Sequence, residues 1–152
     1  MAGFEGCPGS RMMHFNAQKA DTSEQAVGQI SSQLRQWPIQ MHLISPTAPY
    51  YQNADVLLTA DCVAYALGDF HREYLKDKSL AIACPKLDDT SPYVEKLAAM
   101  LKQNDIRSVT VTIMEVPCCR GMAMFAQQAI AQSGKNVPLE IAVIGIDGTR
   151  KA

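Results

Sequence analysis

Five cysteines carry most of the reactive chemistry in this chain: Cys7, Cys62, Cys84, Cys118 and Cys119. The count is odd, and the N-terminus "MAGFEGCPGSRMMHF" has no basic segment followed by an apolar one, so no secretory leader is expected. A disulfide scaffold is therefore the weaker reading, and metal binding or thiol chemistry the stronger. A lone intracellular cysteine is most often a small buried apolar residue, so the argument rests on placement. Cys62 follows the apolar run "DVLLTA", Cys84 ends "SLAIAC", and Cys118 follows "SVTVTIMEV". Each lies at the carboxyl end of a predicted strand. In an open parallel sheet those ends share one edge, where ligands bind. The intervals 62 to 84 and 84 to 118 are each about one βα unit. The thiols could therefore converge without a CxxC knuckle. Soft thiolates gathered in this way suit an iron–sulfur cluster, with zinc as the alternative. Predicted helix starts after Cys62 and Cys118 would favour the thiolate.

The pair Cys118-Cys119 needs separate treatment. Adjacent residues at a helix start point about 100° apart, so one of them faces a shared site. Pro117 sets the approach of the chain and favours Cys118 as the ligand. Cys119 is then a core residue, a second ligand or half of a vicinal disulfide. Cys7 lies in "GCPGS", where Gly6, Pro8 and Gly9 allow a tight turn that could deliver a fourth thiolate. The competing reading makes it an incidental residue of an arm.

Other residue types offer less. On the helix predicted over 62–75, His71 faces away from Cys62 and reads as a surface or satisfied histidine. His42 falls inside a predicted strand and His14 in the N-terminal arm. Asp88 and Asp89, in "CPKLDDTSP", read as turn and helix-start groups. Met12, Met13, Met122 and Met124 read as packing. "IGIDG" does not open a helix, so it is no phosphate loop. No Ser-His-Asp arrangement is evident.

The elements that must position the cysteines alternate. A helix is expected over 23–37, ended by Pro38, and then a strand in "IQMHLIS" (39–45). Strands follow at 55–60, 79–84, 108–116 and 139–146. Helices are expected at 62–75, at 91–103 with Ser91 as N-cap and Pro92 at N1, and at 119–134 closed by Gly134. This alternation predicts an α/β fold. Its sheet is open and mostly parallel, with about five strands and helices on both faces, flavodoxin- or Rossmann-like in three layers. Residues 1–22 form an irregular cysteine-containing arm, and 23–152 a single α/β domain.

Composition sets limits. The 152 residues are 47% hydrophobic and 19% charged, with a net charge of −1, which suits one globular domain rather than a disordered chain. No basic run points to nucleic acid, and no apolar stretch approaches the ~20 residues that would span a membrane. A cytoplasmic location is expected.

"GCPGS", "SQLRQWPIQMHLISPTAPY", "ADVLLTADCVAYALGDFHREYL", "ACPKLDD", "MEVPCC" and "PLEIAVIGIDG" together resemble one group of proteins from anaerobic bacteria and archaea, the ferredoxin-like iron–sulfur-binding proteins. The resemblance covers about residues 6 to 148 and all five cysteines. In many longer members two four-iron ferredoxin motifs precede a region like this one. This chain has no CxxCxxCxxxCP run, and Arg120 stands where many relatives have a small residue. The resemblance implies a 4Fe-4S cluster and redox work beside a ferredoxin-type or other redox partner, with homo-oligomerisation left open. Electron transfer or redox sensing in anaerobic metabolism is the expected function. An iron–sulfur enzyme with an open iron site and a zinc or dithiol interaction module are the alternatives. Cys62, Cys84 and Cys118 are the expected core ligands, Cys7 the favoured fourth and Cys119 the reserve.

Overall fold

A computed structural model describes residues 8–15 and 28–151. Cys7 lies outside the described residues. The centre is a four-stranded, wholly parallel sheet in the order β4-β3-β5-β6. Its strands are β3 (Asp55–Ala60), β4 (Lys78–Ala83), β5 (Ser108–Met114) and β6 (Leu139–Ile144). All four arise from the short β-branched and aliphatic runs expected of a sheet buried on both faces. β3 and β5 are buried almost throughout.

Three α-helices connect or flank the strands: α1 (Val63–Ala66), α2 (Tyr93–Gln103) and α3 (Gly121–Ser133). From β3 the chain moves one way along the sheet to β4, then back past β3 to β5 and on to β6. Right-handed crossovers therefore send the β3–β4 connection to one face, and α2 and α3 to the other. Val56 and Leu58 of β3 accordingly lie under Leu97 and Leu101 of α2 and Ala126 and Ala129 of α3. α3 ends at Gly134, which takes the left-handed conformation (φ 69°) that a residue without Cβ adopts freely.

The first half of the chain departs from the pattern read in the sequence. No helix forms over 28–35 of the expected 23–37 segment, and 23–27 lie outside the described residues. Gln36–Trp37 instead form β2, antiparallel to β1 (Met13–His14). The reason is tertiary. Gln36 is fully buried, and its amide caps the free edge of β4. Its Oε1 accepts the Leu80 N–H at 2.8 Å and its Nε2 donates to the Leu80 carbonyl at 2.6 Å. The next alternate pair on that edge is satisfied by backbone, since Ile82 N–H donates to Ile39 O (2.8 Å) and Met41 N–H to Ile82 O (3.0 Å). The strand expected over 39–45 therefore shrinks to one parallel bridge, Gln40 to Ile82, and His42 sits in a turn. The "about five" strands are four plus this partial edge cover.

Other boundaries shift for local reasons. The helix expected over 62–75 is only the single turn α1, interrupted at Leu67 and Gly68 and followed by a wide turn at His71–Leu75. Glycine is a poor helix former, and Asp69 O starts the new turn by accepting the Arg72 and Glu73 N–H groups. Ser91 does not cap α2, because its hydroxyl donates to Asp89 Oδ1 at 2.7 Å; Pro92 takes the cap position. The strand expected to reach Val116 ends at Met114, and α3 starts at Gly121 after a short 3-10 turn at Pro117–Cys119.

Replacing Gln36 with methionine keeps the volume but leaves the Leu80 N–H without an acceptor. Gln36→Met should lower unfolding stability by about 1–3 kcal/mol, read as a reduced urea midpoint with an unchanged slope.

Candidate functional site at the carboxyl edge of the sheet

After β3 the chain turns to one face of the sheet and after β5 to the other. The carboxyl ends of these two neighbours thus bound a crevice, the place where open α/β sheets bind ligands. Three loops meet there. Asp61 and Cys62 follow β3, residues 84–92 follow β4, and residues 115–120 follow β5.

The β4 loop is folded back over the crevice. Cys84 N–H donates to Asp88 Oδ2 at 2.9 Å, and Asp88 N–H returns a bond to Cys84 O at 3.0 Å. The same Asp88 oxygen accepts a short hydrogen bond from Tyr93 Oη, at the start of α2. Tyr93 is packed between His42, 4.8 Å away between ring centroids, and Phe125 of α3. Burial, then the bond and charge of Asp88, push the Tyr93 phenol well above its usual range, so it remains a donor. Asp88 and Asp89 are thus the turn and helix-start groups that the sequence suggested.

Gly121 brings the β4 and β5 loops together. A Cβ there would stand 3.1 Å from Pro85 Cβ, closer than side chains normally approach. α3 therefore starts directly against the Cys84-Pro85 turn. The β3 loop lies between them: Asp61 N–H donates to Ala83 O at 3.1 Å, continuing the ladder past the strand end.

Within this edge the four described cysteines differ. Cys62 and Cys118 are exposed, Cys84 is half-buried and Cys119 is buried. The adjacent pair splits as its geometry requires, with Cys119 turned into the core and Cys118 towards solvent. Burial pushes the Cys119 thiol up. A hydrogen bond from the Met114 backbone opposes the rise, and Cys118 and Cys62 add to it. Cys62 and Cys118 thus both lie close enough to Cys119 to act on its thiol. Helix α1 is one turn long, so it supplies little of the dipole expected to favour a Cys62 thiolate. Among the described residues, no three His, Cys, Asp or Glu side chains are gathered closely enough to hold a single metal ion. An iron–sulfur cluster places several irons between its thiolates and needs them further apart than one ion does. The thiols at the edge, beside the Asp61 and Asp88 carboxylates, are the donor type that such a cluster takes.

Two residues not singled out from the sequence belong to the site. Asp61 Oδ1 is buried with no hydrogen-bond partner among the described residues, and burial followed by the Asp88 charge raises its pKa. Tyr93 fixes Asp88. The available signal for Asp61 was its position, directly between a strand end and Cys62. Two of the three histidines are engaged elsewhere, since His71 Nδ1 accepts the Gln33 N–H at 3.0 Å and His14 packs near Tyr50, while His42 packs on Tyr93.

A doubly wound parallel sheet with its reactive residues at the switch point defines a Rossmann-like α/β protein. Comparison with known proteins agrees: the chain belongs to the Rossmann-like domain family, matched over residues 48–151. It is similar to an uncharacterised protein of Archaeoglobus fulgidus, 27% identical over 116 residues, covering 76% of this chain and 81% of that protein. No solved structure gives a significant match. Among the described residues no helix is long and apolar enough to cross a membrane.

Asp61 gives a pH prediction with a definite sign. Its pKa is raised on folding, so the folded state favours the protonated carboxyl. The stability it contributes is present below the unfolded pKa and is lost as pH rises through the folded one. In metal-free protein, Asp61→Asn should therefore raise the denaturation midpoint at neutral pH, and the gain should fade as pH drops into the carboxylate range. A gain that stays constant from neutral to acid pH would contradict this.

Proposed function

We propose that this protein is a cysteine-ligated iron–sulfur protein of the kind its sequence resembles, acting in electron transfer or redox sensing in the cytoplasm of an anaerobe. The observation that carries the reading is the convergence of the three strand-end loops, with Cys62 and Cys118 both near Cys119 and the Cys84 turn packed on Gly121. Cys62, Cys84 and Cys118 are the proposed core ligands, Cys7 the favoured fourth and Cys119 the reserve. A 4Fe-4S cluster would supply one-electron redox chemistry when bound. The partner in this reading is a ferredoxin-type or other redox protein.

The chain's own residues do the positioning. Asp88 holds the Cys84 backbone through its N–H, and Tyr93 holds Asp88. Pro117 and the short turn after it aim Cys118 outward and Cys119 inward. Arg120 is exposed beside the pair, where a positive charge offsets thiolate charge. Leu87, Tyr65 and Ile146 are exposed apolar residues in the loops and helix that follow the strand ends, a surface suited to a protein partner.

Anaerobic preparation with iron should give brown protein containing acid-labile sulfide. Colourless protein with stoichiometric zinc and no sulfide would instead support a zinc or dithiol module. Cys62→Ser, Cys84→Ser and Cys118→Ser should each lose most of the metal, because a hydroxyl is a harder and far less acidic donor than a thiol. Cys119→Ser should retain more metal than Cys118→Ser, and lose about 1–3 kcal/mol of stability if its buried hydroxyl finds no partner. Full occupancy in both Cys62→Ser and Cys84→Ser would defeat the shared-edge site.

A further inference from the structure

The opposite, amino-terminal edge of the sheet holds a polar cavity of about 130 Å³. Its wall comes from residues that lead into the strands: Asn53 and Ala54 before β3, Asp77 before β4 and Arg107 before β5. His14 and Arg35, from the β1–β2 pair and the residue beside it, line it too.

Two groups in this wall lack the partners that their chemistry demands. Tyr50 is 5% exposed, and its hydroxyl has no hydrogen-bond partner among the described residues. Buried phenols normally have one. Arg35 is half-buried, and no carboxylate among the described residues pairs with its guanidinium. Arg107 stands at the rim, held by Asp55 at 2.5 Å. The lining thus carries two arginines and a histidine against one carboxylate, the exposed Asp77. The volume admits only a small ligand.

We propose that this cavity binds a compact oxyanion, a small carboxylate or inorganic phosphate, with Arg35 as its charge partner and Tyr50 Oη as a neutral donor. A guanidinium presents paired N–H groups to two oxygens of such an anion at once. Burial raises the Tyr50 pKa, so the phenol keeps its proton and can donate it in a hydrogen bond. Ser79, beneath it, donates to the Tyr50 carbonyl and holds that residue in place. This site is independent of the thiol crevice, which lies at the other ends of the same strands.

The test is calorimetric titration of the whole chain with sodium phosphate and, separately, sodium acetate, against sodium chloride at matched ionic strength. Saturable one-to-one binding of either anion above the chloride control is expected, and the stronger of the two identifies the source. Arg35→Gln should weaken it by about tenfold or more, and Tyr50→Phe by several-fold, since hydrogen bonds to charged groups are the strong ones. Lys86→Gln, which removes an exposed charge in the loop after β4 at the other edge, should bind like the parent. No saturable binding of either anion overturns the proposal. So does unchanged affinity in both cavity variants, or a loss in Lys86→Gln equal to that in Arg35→Gln.

Discussion

A parallel sheet must be covered on both faces, because its strands expose apolar side chains on each. In the order β4-β3-β5-β6 that requirement sends the chain to one face after β3 and to the other after β5. The two central strands therefore end beside each other with their loops diverging. The crevice follows from the coverage. The loops that follow β3 and β5 border it, and in this chain they carry Asp61, Cys62 and Cys118, while Cys119 turns into the core. Val56 and Leu58, buried under α2 and α3, hold those helices to the face of β3.

The same sheet has a second problem, the free backbone of β4. An edge strand with unpaired N–H and C=O groups invites association with other chains. The solution here mixes side chain and main chain. The Gln36 amide serves Leu80, and the Ile39 carbonyl and Met41 N–H serve Ile82. The Tyr51 hydroxyl also donates to Leu80 O, at 3.0 Å. The 36–41 segment is thus bound to the edge without being a strand. Its polypeptide also carries the β1–β2 pair, from which His14 and Arg35 reach the amino-terminal cavity. Edge protection and the second cavity are two outcomes of one segment.

This explains which parts of the molecule were legible. β3 to β6 and helices α2 and α3 were, because buried strands are short apolar runs, α2 shows a clear apolar face and α3 is closed by a glycine. Three of the five cysteines could be placed at strand ends on the same ground, and Gly134 marks a helix end by its chemistry alone. The 28–45 region was not legible. Ala26, Ile30, Leu34 and Trp37 have helical spacing, yet Gln36 is worth more as an acceptor and donor for Leu80 than as part of an amphipathic helix. Long-range hydrogen bonds of this kind leave no local periodicity. The break at Gly68 was at least marked by its residue type. Asp61 was hidden because its environment is set by burial and by Asp88, 27 positions further along the chain.

The crevice combines features that compete energetically. Cys119 is buried with its thiol pKa raised, which favours the neutral form, while Cys62 and Cys118 are exposed. Asp61 is also pushed towards its neutral form, by burial and by Asp88. Gathering several anions here would be costly, since like charges in a partly buried site disfavour each other's ionised state. A cationic centre among the thiolates would reverse that balance, stabilising them and relieving the repulsion between them. The electrostatics of the edge thus centre on two groups, the Cys119 thiol and the Asp61 carboxyl, that burial holds towards their neutral forms.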